Sequence, residues 1–116
     1  MSNLPTDDIK RQQKLPLFYE EGGRAKFNEL VAQGKMPHLQ NQNLEKVDLR
    51  GYNLSNMDFS GAYMRGADLS GLDLRRATFS GASMKDANVS GCFFPEDLSA
   101  DEIRLSLEFG TRIRHR

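Results

Sequence analysis

The sequence predicts an all-β solenoid, a chain wound into stacked coils, and three features predict it. Large apolar residues recur at every fifth position: Leu39, Leu44, Leu49, Leu54, Phe59, Met64, Leu69, Leu74, Phe79, Met84, Val89 and Phe94. Two positions earlier stands a second apolar residue, as in Val47, Tyr52, Met57, Ala62, Ala67, Leu72, Ala77, Ala82, Ala87 and Cys92, with a mostly polar residue between. Glycine or serine then separates one unit from the next, at Ser60-Gly61, Ser70-Gly71, Ser80-Gly81 and Ser90-Gly91. Apolar, polar, apolar is the in–out–in alternation of an extended segment. A continuous strand would carry the alternation on, whereas here its phase breaks in every unit. A corner restores it, because glycine tolerates positive φ and serine bonds its own backbone. An α-helix is excluded, since a period of five matches neither 3.6 nor 3.5.

The stretch from about residue 42 to 95 resembles the pentapeptide-repeat family, whose consensus is Ala-Asp/Asn-Leu-x-x. Its best local matches are Ala67-Asp68-Leu69-Ser70-Gly71 and Ala87-Asn88-Val89-Ser90-Gly91. The resemblance implies a right-handed, four-sided β-helix with four repeats per coil, here just under three coils, stacked ~4.8 Å apart. Stacking at twenty residues aligns Leu44 with Met64 and Met84, Leu49 with Leu69 and Val89, Leu54 with Leu74 and Phe94, and Phe59 with Phe79. The expected core is therefore Leu49, Leu54, Phe59, Met64, Leu69, Leu74, Phe79, Met84, Val89 and Phe94. Tyr52, Met57 and Leu72 stand where the family favours alanine, and Tyr63 and Phe93 where it favours Asp or Asn. The bulky Tyr52–Leu72–Cys92 column is expected to bow its side outward.

A solenoid exposes sheet edges and core at both ends, and these need covering. Four segments result: an arm over 1–22, a capping helix and approach over 23–41, the β-helix over 42–96, and a second capping helix with a basic tail over 97–116. Residues 23–33 read as a helix with Phe27, Leu30 and Val31 on one face, stopped by Gly34 and Pro37. Ser99-x-x-Glu102 is a capping box that opens a helix through Phe109, with Gly110 as its stop. Residues 6–14 read as a short helix or as a mobile arm.

Composition narrows the function. Sixteen acidic and sixteen basic residues balance, so net charge points neither to nucleic acid nor to an anionic membrane. The chain has no apolar run long enough to span a bilayer and no apolar stretch near its start, which leaves a cytoplasmic protein as the expectation. Cys92 is the only cysteine, which excludes an internal disulfide and a cysteine zinc site. His38 and His115 lie far apart in sequence, and no nucleophile, base and acid converge. The expectation is a protein without catalytic activity, cofactor or metal. Stacked Asp48 and Asp68 read as outward repeat positions that bond nearby backbone.

The expected function is a protein-interaction module, adaptor or regulator, with an unidentified protein as partner. Its candidate surface consists of residues that break the repeat outward: Tyr63 with Arg65, on a face shared with Glu45 and Lys85, and Phe93 near the last corner. Tyr and Arg are enriched at interface centres. A rival explanation for Phe93 is that the C-terminal helix covers it. Homodimerisation through that helix or through an open coil end is a further expectation. The alternative is a regulator of DNA gyrase or topoisomerase, since some pentapeptide-repeat proteins imitate duplex DNA with an acidic rod. Against it, acidic and basic residues balance between 42 and 95, and the stack measures ~13 Å against ~34 Å for one turn of DNA. A third reading gives Arg112, Arg114 and Arg116 an anionic or nucleic-acid partner. The competing reading of those arginines, as solubilising charge near a helix end, is the stronger, because no aromatic residue interleaves with them.

Overall fold

A computed structural model describes residues 16–115, and the reading of residues 6–14 lies outside the described residues. From residue 40 to 91 a two-residue turn recurs every five positions. At each corner the carbonyl of the large apolar residue accepts from the amide three residues on, as in Ala62 N–H to Phe59 O (2.8 Å) and Ala87 N–H to Met84 O (3.0 Å). Each side between corners except the one at Asn53 contributes one residue to the ladder, and every bridge is parallel and spans twenty residues. The pairs are Asn43 with Tyr63, Asp48 with Asp68, Asp58 with Thr78, Tyr63 with Ser83, Asp68 with Asn88, and Asp73 with Phe93. A coil thus takes twenty residues and four corners.

The corners explain the glycine pattern. All carry a positive φ at their second residue except those at Asn56 and Arg76, which stack on each other. Positive φ there is the left-handed residue of a type II turn. Asn41, Lys46 and Asp86 hold it without being glycine, each at φ 60°. The polar residue of each side stabilises the next corner through its side chain. Asp48, Asp58, Asp68, Asp73 and Asn88 each accept, through Oδ1, the amide two residues on. That is an Asx turn, the physical reason for Asp or Asn at this position. Ser70 is half-buried rather than exposed, and its hydroxyl donates to Asp68 at 2.6 Å.

Leu44, Leu49, Phe59, Met64, Leu69, Leu74, Phe79 and Met84 are fully buried, and Leu54 nearly so. Val89 and Phe94, at the far end of the stack, are half-buried against this core. Phe59 and Phe79 stack at 5.2 Å with planes 12° apart. At the Tyr52 column the ladder opens. Asn53 forms no bridge with Asp73, although Asp73 pairs normally with Phe93 above it. Tyr52 supplies the cause: its ring is too large for an alanine position and packs against Phe18 and Phe27, with centroids 5.0 and 5.2 Å away. Its hydroxyl donates to Leu17 O at 2.8 Å.

Helix α1, Gly23–Ala32, places Phe27 in the core cluster and ends in a Schellman arrangement. Gly34 (φ 79°) donates to Val31 O and Lys35 donates to Leu30 O. Helix α2, Ala100–Phe109, is capped by Ser99 Oγ, which accepts from Glu102 N–H at 3.2 Å. Only half of the capping box forms, because the Glu102 carboxylate accepts instead from the backbone and guanidinium of Arg114. At Gly110 (φ 72°) the chain turns, and the following residues pass along the last coil in the opposite direction, with Ile113 against Gly81 and Ala82 and His115 against Phe79. Ile113 exchanges backbone hydrogen bonds with Gly81 and Ala82, both at 2.8 Å, and its side chain is buried.

Thermal melts check three consequences. Gly34→Ala, whose added Cβ meets nothing within 4 Å, is expected to lower stability by about 1 kcal/mol through backbone strain alone. Leu69→Asp, which buries an unpaired charge in the core, is expected to abolish the cooperative transition. Tyr52→Phe, which strands the Leu17 carbonyl, is expected to cost about 1 kcal/mol.

Candidate interaction surface

The side that carries Tyr63 and Arg65 continues onto the C-terminal segment. Tyr63 is half-buried and, with Gly61, Ala62, Ser83, Gly110 and Arg112, lines a groove of about 130 Å³. In the column one corner further, Glu45 and Lys85 are half-buried and Arg65 is exposed. Lys85 Nζ donates to Glu108 O at 3.2 Å, tying this column to α2. The tail residues Arg112 and Arg114 are not free: Arg112 donates to Gly81 O at 3.0 Å, and Arg114 pairs with Glu102 at 2.9 Å. Arg116 lies outside the described residues.

Phe93 occupies a different side and is 60 % exposed, so α2 does not cover it. The Arg75 guanidinium lies over its ring, 5.3 Å from the centroid. Arg75 is itself held by Asp73 through two side-chain hydrogen bonds of 2.9 and 2.8 Å. This pairing keeps the Asp73 carboxyl near pKa 2, with the Arg75 side-chain bonds as the largest cause. Beside the group, Ser55, Asp73, Arg75 and Arg76 line an open cleft of about 490 Å³ next to the gap in the ladder.

A second charged row crosses the side of Asp48 and Asp68. Arg50 sits between the two carboxylates, 2.9 Å from Asp48 and 3.3 Å from Asp68, and Arg24 of α1 reaches Asp48 at 3.8 Å. The Arg50 side-chain hydrogen bonds are the main reason that Asp48 titrates near 2. Stacked aspartates here are an arginine-bridged row, which leaves no shared proton for acid–base chemistry.

Cys92 and His115 are held in structural bonds. Burial is the main cause that pushes the Cys92 thiol up from its usual range, and the thiol donates to Leu69 O. His115 joins Asp97 to the amide of Phe79. Among the described residues no group of three or more His, Cys, Asp or Glu side chains gathers that could hold a metal, and no helix is long and apolar enough to cross a membrane.

Several contributors escaped the sequence reading. Asn28 of α1 donates to Gly51 O at 2.9 Å and accepts from Asn53 N–H at 2.7 Å, so its side-chain amide stands in for the peptide of a preceding coil. Ser106, fully buried, accepts from Met84 N–H. Neither residue belongs to a repeat, so no periodicity marks it. Ile113 had a visible signal, a lone large aliphatic residue in a basic tail.

Coils of twenty residues joined by single-residue parallel bridges, with one outward side chain per side, define a repeat solenoid that presents flat faces. Pentapeptide repeats match residues 38–71 and 58–94, in eight copies, and the chain belongs to the pentapeptide-repeat family. That family implies a right-handed β-helix. No curated protein and no solved structure matches the chain.

The paired carboxylates predict an acid response. Asp48 and Asp73 titrate near 2, below the ordinary 3.8, so each contributes stability above the ordinary value that is lost as pH falls through the lowered one. Both pairs are solvent-exposed and screened, which keeps the effect modest. The melting temperature is expected to fall between about pH 4 and 2, with Arg75→Ala flattening part of that fall.

Proposed function

We propose that the chain is a non-catalytic protein-binding module, an adaptor or regulator acting in the cytoplasm. In this reading its β-helix makes just under three coils, residues 42–96, and α1 and α2 close the two ends. The exposed Phe93 under Arg75 carries the proposal. The ladder position it occupies favours Asp or Asn, whose side chain secures the following corner, so an exposed phenylalanine there serves no need of the fold. Asp73 orders the Arg75 guanidinium in advance, which lowers the entropic cost of placing an aromatic–cation pair against a partner. Tyr63 and Arg65 form a second contact region of the same chemistry.

The engagement of Asp48, Asp68, Asp73, Cys92 and His115 in structural bonds supports a module without chemistry of its own. The interleaving of Arg50 and Arg75 with the aspartates argues against mimicry of uniformly anionic DNA. Self-association through α2, whose Phe109 is 66 % exposed, belongs to the same proposal and is read by light scattering.

Affinity capture from native lysate tests the reading. Wild type is expected to retain a protein partner that Phe93→Asn or Tyr63→Ala/Arg65→Ala loses. Phe93→Asn should leave stability within about 0.5 kcal/mol of wild type, as an exposed substitution does. Equal retention by wild type and both variants sinks the assignment.

A further inference from the structure

We propose that residues 110–115 form a proton-operated latch, in which neutral His115 holds the C-terminal segment across the last coil and protonation of the imidazole releases it. The contacts of the ring define its protonation state. Nε2 lies 3.1 Å from the backbone nitrogen of Phe79, which can only donate, so Nε2 must accept and carries no hydrogen. Nδ1 lies 2.8 Å from Asp97 Oδ2 and therefore holds the single ring proton. The side chain is only 12 % exposed, which leaves the ring little room to turn.

A second proton would sit on Nε2 and face the Phe79 N–H, donor against donor. The neighbouring carbonyls of Thr78 and Phe79 already accept from Phe59 and Ala82. The charged groups around the ring come from three segments. Asp97 in the loop before α2 attracts the cation, but it is 54 % exposed and screened by water. Arg114 in the tail and Glu102 in α2 pair with each other at 2.9 Å and largely cancel. The coil contributes the Phe79 amide. The Asp97 bond forms with either charge state of the ring, whereas the Phe79 bond forms with the neutral ring alone. Proton uptake therefore removes the hydrogen bond that Phe79 N–H donates to His115.

What the latch holds is substantial. Beyond His115, the segment is tied to the coil by the two Ile113 backbone bonds, the buried Ile113 side chain and the Arg112 contact with Gly81 O. Gly110, at φ 72°, is the point about which the segment can swing. Release uncovers the Gly81 N–H, the Ala82 carbonyl and an apolar seat, an unpaired sheet edge open to another extended chain.

Amide exchange of the full-length protein by NMR, corrected for the intrinsic pH dependence of exchange, tests this. Protection of the Gly81 and Ile113 amides is expected to fall by about tenfold or more between pH 8 and pH 5, with the midpoint of the His115 ring-proton shift. Leu69 N–H, which donates to Asn88 O within the stack, should keep its protection. In His115→Gln, the side-chain oxygen can accept from Phe79 while its NH₂ donates to Asp97, so the segment is expected to stay closed at both pH values. Protection of Gly81 and Ile113 that does not change while His115 titrates overturns the proposal. So does an undiminished pH response in His115→Gln, which would place the switch on Asp97 or Glu102.

Discussion

Each side of a coil is long enough to pair one residue with the coil above it, and that limit governs the rest of the structure. A side has room for a residue facing inward, one facing outward on the ladder, and another facing inward before the chain turns. Its backbone can therefore be satisfied only by a neighbour whose own corners fall in register twenty residues away. The register admits no slip, because displacement by one residue would put aspartates in the core and leucines in water. The same limit explains why the corner is stabilised twice, by the turn bond across it and by the Asp or Asn side chain that accepts from the amide of its first residue.

Closing the stack is the harder problem, because each end leaves a row of backbone groups unpaired. Different groups meet the backbone at the two ends. At the first coil it is a side chain: Asn28 accepts from Asn53 N–H and donates to Gly51 O. At the last coil Ser106 accepts from Met84 N–H, and the backbones of Leu107 and Ile113 bond to Asp86, Gly81 and Ala82. Tyr52 belongs to the same problem. It breaks the alanine preference and opens the ladder beside Asn53, yet its ring and hydroxyl hold the turn Pro16–Phe18 against the coil. A local defect in the repeat thus serves as an anchor for the segment beside it.

Charge is distributed with similar economy. Balanced composition in the sequence becomes pairing in space, with Arg50 between the carboxylates of Asp48 and Asp68 and Arg75 on Asp73. Side chains that break this pattern, the exposed Phe93 and the half-buried Tyr63, then stand out as the places where the surface departs from what the coil requires.

The coil itself was legible in the sequence because its period is a local property, written in the side chains of consecutive residues. Apolar residues such as Leu49, Leu69 and Phe79 declare their inward direction, and glycines such as Gly71 declare a corner with positive φ. Helix boundaries were legible for the same reason, through Ser99, Gly110 and Gly34. What lies between distant segments was not. The glutamate of the capping box is diverted to Arg114, the basic tail bonds to Gly81 and Ala82 of the coil, and Phe93 lies under Arg75 and clear of α2. Those outcomes depend on which backbone groups remain unpaired once the coils have stacked, and only the assembled stack presents that list of needs to the side chains nearby.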